Sequence, residues 1–343
     1  MADVAAHIRQ KARRHGVQLL QPRGAGGGAH QQVRPRPGPS EFPDDNARVV
    51  GSSHGWLALM NRRNNDLFLS NPITRRHIRL PQIQSLPNPE LNLLPGGKAQ
   101  VSKLILSASP DSEECRAMVS FGQDDRLAFC RPGHSQEWVP IGKPYMDRDD
   151  KIYNFVYPKS YNDFVFSSKS NVFTCLTKSD IHEWGLEDWD LTDMDSPKLA
   201  WIRTNNEQPN TEHDEILRKE HLVYAEQTDE LFLVIRSIDK CQLETFFFFT
   251  MKLQKEEDGW TTCSRSCSDF ALFVGTNHSF AIASPRFKPN SIYFTDHKDD
   301  QVTGDVGIHD CANNTISNCY YPFEKHHTNS LSLTPIWFTP TLT

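Results

Sequence analysis

The 343-residue sequence has little of what membrane proteins, secreted proteins and helical proteins carry. No apolar run approaches the roughly 18 residues of a membrane-spanning helix, and the longest apolar cluster, residues 246–249, needs only a buried sheet. The start of the chain has no continuous apolar core of the signal-peptide kind. Beyond residue 45, no stretch of 12 or more residues shows helical apolar periodicity. These absences predict a chain outside the membrane and outside the secretory pathway, with a body poor in helix.

The sequence also lacks the spacing of known cofactor and metal sites. No glycine-rich phosphate loop of either standard spacing occurs. The candidate metal ligands are Cys263 with Cys267, Cys311 with Cys319, His326 with His327, and the acidic turns 147–150 and 296–300. The cysteine and histidine pairs do not have the paired spacing of a zinc site, and the acidic turns lack the glycine and terminal glutamate of a calcium loop. We therefore expect no metal and no cofactor.

The eight cysteines are expected to be free thiols, since no secretory signal points to an oxidising compartment. Cys130 and Cys175 lie inside apolar runs, where cysteine behaves as a small buried hydrophobe. In a reducing compartment the glycosylation sequons at Asn277 and Asn313 have no meaning.

One motif resembles a catalytic signature. Residues 51–55, GSSHG, match the G-x-S-x-G nucleophile elbow of α/β hydrolases. That elbow requires a strand-to-helix turn, whereas a second strand-like run follows here. We interpret the motif as a tight turn in which Ser53 or His54 bonds the backbone, and we expect no catalytic residues.

Charge is distributed unevenly along the chain. The formal net charge is −6, yet residues 1–40 hold seven Lys or Arg against one acid. The acidic remainder argues against a nucleic-acid platform, because phosphate binding depends on clustered basic residues. Glycine and proline clusters make residues 1–45 a basic arm that we expect to be disordered. Because the arm is poor in acids and rich in arginine, organelle targeting is an alternative to a location in cytoplasm or nucleus.

The body, residues 48–341, shows a period of two in short apolar runs. Strands are predicted at 55–60, 66–70, 164–167, 231–235, 245–253 and 291–295. Turn residues join many of these runs into hairpins, including 118–121 with 127–130 and 279–284 with 291–295. Residues 231–235 are apolar on both faces, which suits a strand between two neighbouring sheets. The stretches 81–98 and 178–198 are interpreted as loops.

Three tryptophans follow such strand pairs at regular intervals. Trp138, Trp201 and Trp260 recur after 63 and 59 residues. A repeat of about 45–60 residues is the scale of a propeller blade with loop insertions. The sequence therefore predicts an all-β, kelch-like β-propeller of about five to six blades, with a two-sheet sandwich as the alternative. Each tryptophan is expected to pack against the neighbouring blade.

Several segments together resemble a plant family, the β-propeller domain known as domain of unknown function 295, which usually follows an F-box. The matching segments are GSSHGWL at 51–57, Asn71-Pro72 with Arg79-Leu80-Pro81, ALFVGTNHSF at 271–280, KPNSIYFTD at 288–296, DVGIHD at 305–310 and PIWFTP at 335–340. The resemblance implies substrate recognition for a cullin–RING ubiquitin ligase, with no catalytic residues to carry over.

An F-box needs about 40–50 residues of amphipathic helices, and residues 1–45 supply glycine and proline instead. We therefore expect a non-enzymatic protein-interaction propeller that does not bind a Skp-type adaptor, and the interaction residues are not identified by the sequence. The alternatives are an enzyme or ligand-binding propeller using the central channel, and an organelle-targeted family member without an F-box.

Overall fold

The computed structural model describes residues 17–19, 47–61, 64–86, 101–122, 125–142, 145–146, 156–157, 160–177, 184–205, 216–242, 244–256, 259–264, 267, 269–275, 277–295, 306–318 and 336–339. Across these ranges the only helical element is a single 3₁₀ turn, Ile83–Ser85. They contain no helix whose length and apolarity would let it cross a bilayer.

Twenty-five strands make up the described part of the chain. A terminal strand, β1 (Val17–Leu19), comes first. Sheet 1 contains β2 (Ala47–Ser53), β3 (Trp56–Asn61), β4 (Leu67–Ser70) and β5 (His77–Arg79). Sheet 2 contains β6 (Val101–Leu106), β7 (Ala117–Phe121), β8 (Arg126–Cys130) and β9 (Val139–Ile141). A small hairpin, β10 (Tyr145–Met146) with β11 (Val156–Tyr157), follows it.

Sheet 3 contains β12 (Tyr161–Ser167), β13 (Val172–Thr177), β14 (Trp184–Asp190) and β15 (Lys198–Asn205). Sheet 4 contains β16 (Ile216–Ala225), β17 (Glu230–Asp239), β18 (Thr245–Glu256) and β19 (Gly259–Ser264). Sheet 5 contains β20 (Ala271–Val274), β21 (Phe280–Ile282), β22 (Ser291–Thr295), β23 (Val306–Asp310) and β24 (Thr315–Asn318). The last strand is β25 (Ile336–Phe338).

Sheets 1 to 4 are antiparallel meanders, each with its strands hydrogen-bonded in sequence order. The predicted strands at 55–60, 66–70, 164–167, 231–235, 245–253 and 291–295 are confirmed, because each lies on a strand of these sheets or of sheet 5. A single parallel bridge between Tyr224 and Phe280 joins sheet 4 to sheet 5. Five blade-like sheets are therefore present in the described ranges, and the all-β propeller prediction is confirmed.

From sheet 1 to sheet 5, each sheet buries a shared apolar cluster with the next one, so the core is a series of interfaces between sheets. Strand β17 shows how one strand serves two of them. Leu231, Leu233 and Ile235 pack toward sheet 3, whereas Phe232 and Val234 pack toward sheet 5. Because alternate side chains point to opposite faces, a strand between two sheets is apolar at every position, as the sequence indicated.

Strand β25 lies between the last sheet and the first. Trp337 packs with Ala271 and Phe273 of sheet 5, and Phe338 packs with Leu57 of sheet 1. The first strands of sheets 1 and 2, of sheets 3 and 4 and of sheets 4 and 5 contact one another, and Lys103 of β6 pairs with Asp163 of β12. These contacts place the first strands at the centre of the array. The sheets therefore form a ring that the end of the chain closes.

Two interpretations of the strand pattern were wrong. The first concerns residues 178–198, which were taken as a loop because they are acidic, yet β14 occupies 184–190. Its carboxylates are buried and bonded: Glu187 accepts from the Tyr161 hydroxyl at 2.8 Å, and Asp188 accepts from Thr174 at 2.7 Å. Since partners on neighbouring strands satisfy these charges, the strand tolerates them in the core.

The second wrong interpretation is the hairpin between 279–284 and 291–295. Strand β21 pairs with β20, and β22 pairs in parallel with β20 and antiparallel with β23. The chain returns to the other side of β20, so the two neighbouring runs never pair. Local turn residues do not reveal which edge of a strand the chain returns to.

The tryptophan repeat corresponds to the last strand of three successive sheets. Trp138 immediately precedes β9, whereas the backbones of Trp201 and Trp260 lie in β15 and β19. The ring of Trp138 is 3% exposed and belongs to the cluster between sheets 1 and 2, and its indole N–H donates to the Pro81 carbonyl at 3.0 Å. Trp138 thus packs against the neighbouring blade as expected, and the side chains of the other two lie outside the described residues.

Of residues 1–45, the structure describes only β1, which pairs in parallel with β25. The sequence contained no signal for this pairing.

Candidate functional site

Polar side chains concentrate on the first strands, around the centre of the ring. They are Ser52, Ser53, Lys103, Asp163 and His221, all buried, with Asn277 and His278 on the segment after β20. This set, together with His54 at the end of β2, is called the polar centre below. Several of its groups join one sheet to another, which determines what chemistry is left to them.

The ion pair of Lys103 and Asp163 connects three sheets. The Lys103 ammonium lies against the Asp163 carboxylate and donates to the Phe164 carbonyl at 3.1 Å. The same carboxylate accepts the backbone N–H of Leu222 in sheet 4 at 2.8 Å. Burial raises the pKa of Asp163, and Lys103 opposes that rise. With the Phe164 backbone N–H as a further donor, three of the roughly four lone-pair sites of this carboxylate are used in joining sheets.

A second cluster closes the ring between sheets 5 and 1. The Asn277 amide donates to the Ser52 hydroxyl at 2.7 Å and to the Trp337 carbonyl at 2.9 Å. Ser52 donates to that same carbonyl. The Trp337 indole N–H in turn donates to the Val274 carbonyl at 2.9 Å. Residues separated by up to 285 positions therefore meet at one point, and hold β25 in place.

The GSSHG motif forms a β-hairpin turn, as we interpreted it. Gly51 and Ser53 lie on β2, and His54 and Gly55 form the turn with φ of 50° and 77°. The Ser53 hydroxyl accepts the Leu106 backbone N–H at 2.9 Å, which ties sheet 1 to sheet 2. A nucleophile elbow needs a helix after the serine, and β3 follows instead.

Glycine is needed at position 51 for a structural reason that is unrelated to the hydrolase motif. A Cβ placed on it would lie 1.9 Å from the Leu104 carbonyl oxygen. Strands β2 and β6 therefore approach so closely at the ring centre that only glycine fits.

The histidines of the polar centre are held neutral. Burial, with Lys103 and His54 nearby, lowers the pKa of His278 to about 3. Burial, with Arg236 and Lys103 nearby, lowers the pKa of His221 well below its usual value. Both imidazoles are therefore neutral near pH 7, beside the ion pair of Lys103 and Asp163.

The described residues hold no group of three or more metal-binding side chains. The cysteines with described side chains are free thiols, Cys130 and Cys175 are buried as expected, and Cys115 is buried as well. The Cys263 side chain, Cys319, His326, His327 and the acidic turns 147–150 and 296–300 lie outside the described residues. Cys267 lies close to Cys311. The candidate pairs in the sequence were Cys267 with Cys263 and Cys311 with Cys319, so the sequence did not suggest this pair.

A long hairpin carries exposed aromatic side chains. Strands β16, β17 and β18 have 10, 10 and 12 residues, whereas β12 and β13 have 7 and 6. At about 3.3 Å per residue, β17 is about 10 Å longer than β12. Phe246 and Phe247 lie near its tip, 52% and 37% exposed.

The exposure of both phenylalanines corrects the expectation that the 246–249 cluster lies wholly in a sheet core. A register shift leaves Phe246 without an opposite residue, since Ser237 pairs with Phe247 and Ile238 pairs with Thr245. Strict alternation would bury one of two consecutive residues, but a bulge re-aims one side chain. The sequence gives the apolar run but not the bulge, so this surface was missed.

The geometry up to this point defines a class: a ring of β-sheets with a bonded polar centre, which is a β-propeller. Residues 32–310 match the family model described as KIB1-4 beta-propeller. This match covers more than half of the chain, so the protein belongs to the KIB1-4 β-propeller family.

A curated relative supports a link to F-box proteins. The Arabidopsis thaliana protein named "Putative F-box protein" is 24% identical over 315 residues, covering 86% of this chain and 74% of the relative.

Among solved structures, the Cps50 (Swd1) β-propeller domain of Myceliophteria thermophila has a TM-score of 0.38 at 8% identity, covering 77% of this chain and 69% of that one. Kluyvelomyces marxianus Hsv2 has a TM-score of 0.31 at 10% identity, and the match spans 62% of this chain but 55% of that one.

Proposed function

We propose that this propeller is a protein-interaction module that binds a partner protein through the tip of the β17–β18 hairpin. The observation that carries the proposal is the exposure of Phe246 and Phe247 on the longest hairpin among the described strands. Aromatic side chains that are exposed in the free protein and rigidly presented are typical anchors of protein interfaces, because they bury a large area at low entropic cost.

The tip of the β17–β18 hairpin is rigid because the residues next to it are buried. Phe248, the next residue, packs on the Phe294 ring at 5.1 Å within the cluster between sheets 4 and 5. Buried Arg236 lies opposite Phe248, and its guanidinium donates to Thr245 at 2.6 Å. A surface anchored in this way loses little conformational freedom on binding.

The relation to an F-box protein supports a finer proposal, substrate recognition for a ubiquitin ligase. The resemblance to domain of unknown function 295 points the same way and is also part of this proposal. In that role the partner at the hairpin tip is the protein to be modified. No observation on the described residues favours the enzyme alternative, because the polar centre is committed to joining sheets.

The binding proposal is tested with the double variant Phe246→Ser, Phe247→Ser. Proteins captured by the full wild-type chain are identified, purified and titrated against both proteins by calorimetry. We expect the variant to bind at least tenfold more weakly, with an unchanged circular dichroism spectrum. Ile316→Ser is the matched control, since Ile316 is 38% exposed on β24 of sheet 5, and it should bind as the wild type does. Equal affinity of the double variant and wild type would refute the proposed surface.

The ligase proposal is tested separately with a purified Skp-type adaptor. From the composition of residues 1–45 we expect this chain not to bind the adaptor directly. Nanomolar binding that disappears when residues 1–45 are deleted would overturn that expectation and place an adaptor-binding element in the arm.

A further inference from the structure

Cys267, which precedes sheet 5, forms a cluster with His309 and Cys311 of that sheet. The proposed function does not use this cluster. The Cys267 and Cys311 sulfurs lie 3.1 Å apart, although 44 residues separate them in the chain. Cys267 precedes β20 and is fully buried in the cluster between sheets 4 and 5. Cys311 begins the turn after β23 and is only partly buried, so a small reagent can reach it.

The surroundings favour a thiolate on the accessible cysteine. His309 Nδ1 lies 3.8 Å from the Cys311 sulfur, and its Nε2 lies 3.0 Å from the Asn314 side-chain oxygen. A hydrogen bond from the Cys267 thiol, with help from His309, lowers the pKa of Cys311 to about 6 despite its burial. The same bond and burial raise the pKa of Cys267. Burial opposes a charged imidazole, but the bonds to Cys311 and Asn314 outweigh it and raise the pKa of His309.

The remaining charged neighbour is also accounted for. Asp310 would oppose a thiolate on Cys311, but its carboxylate is paired with the Lys288 ammonium at 2.6 Å. The loop that carries Lys288 also positions both cysteines: the Asn290 side-chain oxygen lies 3.3 Å from the Cys267 sulfur, and the Asn290 carbonyl accepts from the Cys311 N–H at 3.0 Å. Three loops therefore hold the sulfurs together.

We propose that Cys267 and Cys311 form a reversible redox pair, with Cys311 the attacking cysteine and a low-molecular-weight disulfide of the glutathione type the oxidant. The Cys311 thiolate attacks one sulfur of that disulfide, forms a mixed disulfide and releases one thiolate. Cys267 loses its proton and attacks the Cys311 sulfur, forming the protein disulfide and releasing the second thiolate. Two protein thiols are oxidised and one small disulfide is reduced to two thiols, so electrons and protons balance.

The crosslink would tie the entry of β20 to the turn between β23 and β24. These elements flank β22, and sheet 5 is the sheet that receives β25 at ring closure. Closing a loop of this length removes conformational freedom from the unfolded chain, so the oxidised protein should unfold at a higher temperature. The inference does not depend on which partner the hairpin binds.

The test treats the full chain with oxidised glutathione, blocks the remaining thiols by alkylation and maps the peptides by mass spectrometry. We expect a peptide linking Cys267 to Cys311 and a rise of several degrees in the unfolding midpoint, with both changes reversed by dithiothreitol. Cys311→Ser should abolish the link and the shift. Cys241→Ser, which removes an exposed cysteine on the β17–β18 turn, is the matched control and should retain both.

Two further outcomes separate this chemistry from simple proximity. His309→Phe keeps an aromatic ring against Phe248, 5.1 Å away in the wild type, and removes the contact to the sulfur. It should slow alkylation of Cys311 at pH 7 on the order of tenfold. The proposal is overturned if Cys241 becomes glutathionylated while no Cys267–Cys311 link forms, or if the mixed disulfide on Cys311 persists unresolved.

Discussion

Replacing His278 by glutamine tests whether the polar centre is held neutral by burial. In the folded protein the pKa of His278 is lowered to about 3, chiefly by burial and then by Lys103 and His54. Its Nδ1 has no hydrogen-bond partner among the described residues, so nothing there stabilises an added proton. In the unfolded chain the imidazole returns to about 6.5.

The sign and size of the effect follow from proton linkage. Below about pH 6.5 the unfolded state takes up a proton that the folded state refuses, so stability falls as the pH falls. At pH 5.5 the unfolded imidazole is about 90% protonated, which costs the folded state about 1.4 kcal/mol.

The assay is urea unfolding, followed by tryptophan fluorescence, at pH 7.5 and pH 5.5. Wild type should lose about 1.4 kcal/mol more than His278→Gln between the two pH values, because all other titrations cancel in the comparison. His134→Gln, at an exposed position, is the control and should reproduce the wild-type loss. The same pH dependence in wild type and His278→Gln would refute the assignment of a buried neutral imidazole.

Three further tests probe the ring by denaturant unfolding. Gly51→Ala places a methyl group 1.9 Å from the Leu104 carbonyl oxygen of β6, so it should lower the free energy of unfolding by more than about 3 kcal/mol. The control Gly133→Ala, at φ 74° with its nearest neighbour 3.6 Å away, should lower it by only about 1–2 kcal/mol. Equal losses would contradict the close approach of β2 and β6. Trp138→Ala should cost about 3–5 kcal/mol, and a loss below about 1 kcal/mol would show that this ring is not part of the interface between sheets 1 and 2. Lys103→Met and Asp163→Asn should each lower the free energy of unfolding by about 3–5 kcal/mol, because each single change leaves the other group buried and unpaired. The double variant should lose clearly less than the sum of the two, and additive losses would mean that the pair does not interact.

The sequence predicted those parts of the fold that depend on neighbouring residues. Alternation in short runs identified strands such as β3, β12 and β17, and the apolarity of 231–235 on both faces indicated a strand between two sheets. The tryptophan interval predicted a repeated unit of blade size, and the structure places the three tryptophans in or next to the last strand of successive sheets. These properties follow from the period of a strand and from the spacing of a repeated unit, so local patterns are enough to determine them.

Only the tertiary structure decided which segments meet. The acidic run around Glu187 is a strand because Tyr161, 26 positions away, bonds its carboxylate. The adjacent runs around β21 and β22 do not pair because both use β20 as their partner. Neither outcome is encoded in the residues next to the strand concerned.

The same division holds for the candidate sites. The sequence identified GSSHG as a turn, but its role in joining sheets 1 and 2 depends on Leu106, 53 positions from Ser53. It showed four consecutive phenylalanines, but a register shift against β17 decided that Phe246 and Phe247 reach solvent. The sequence shows eight cysteines, but the pairing of β20 and β23 with β22 is what brings Cys267 close to Cys311. Alternation determines which residues become strands, whereas the contacts that give a strand its neighbours, its bulges and its buried charges form only when distant segments pack together.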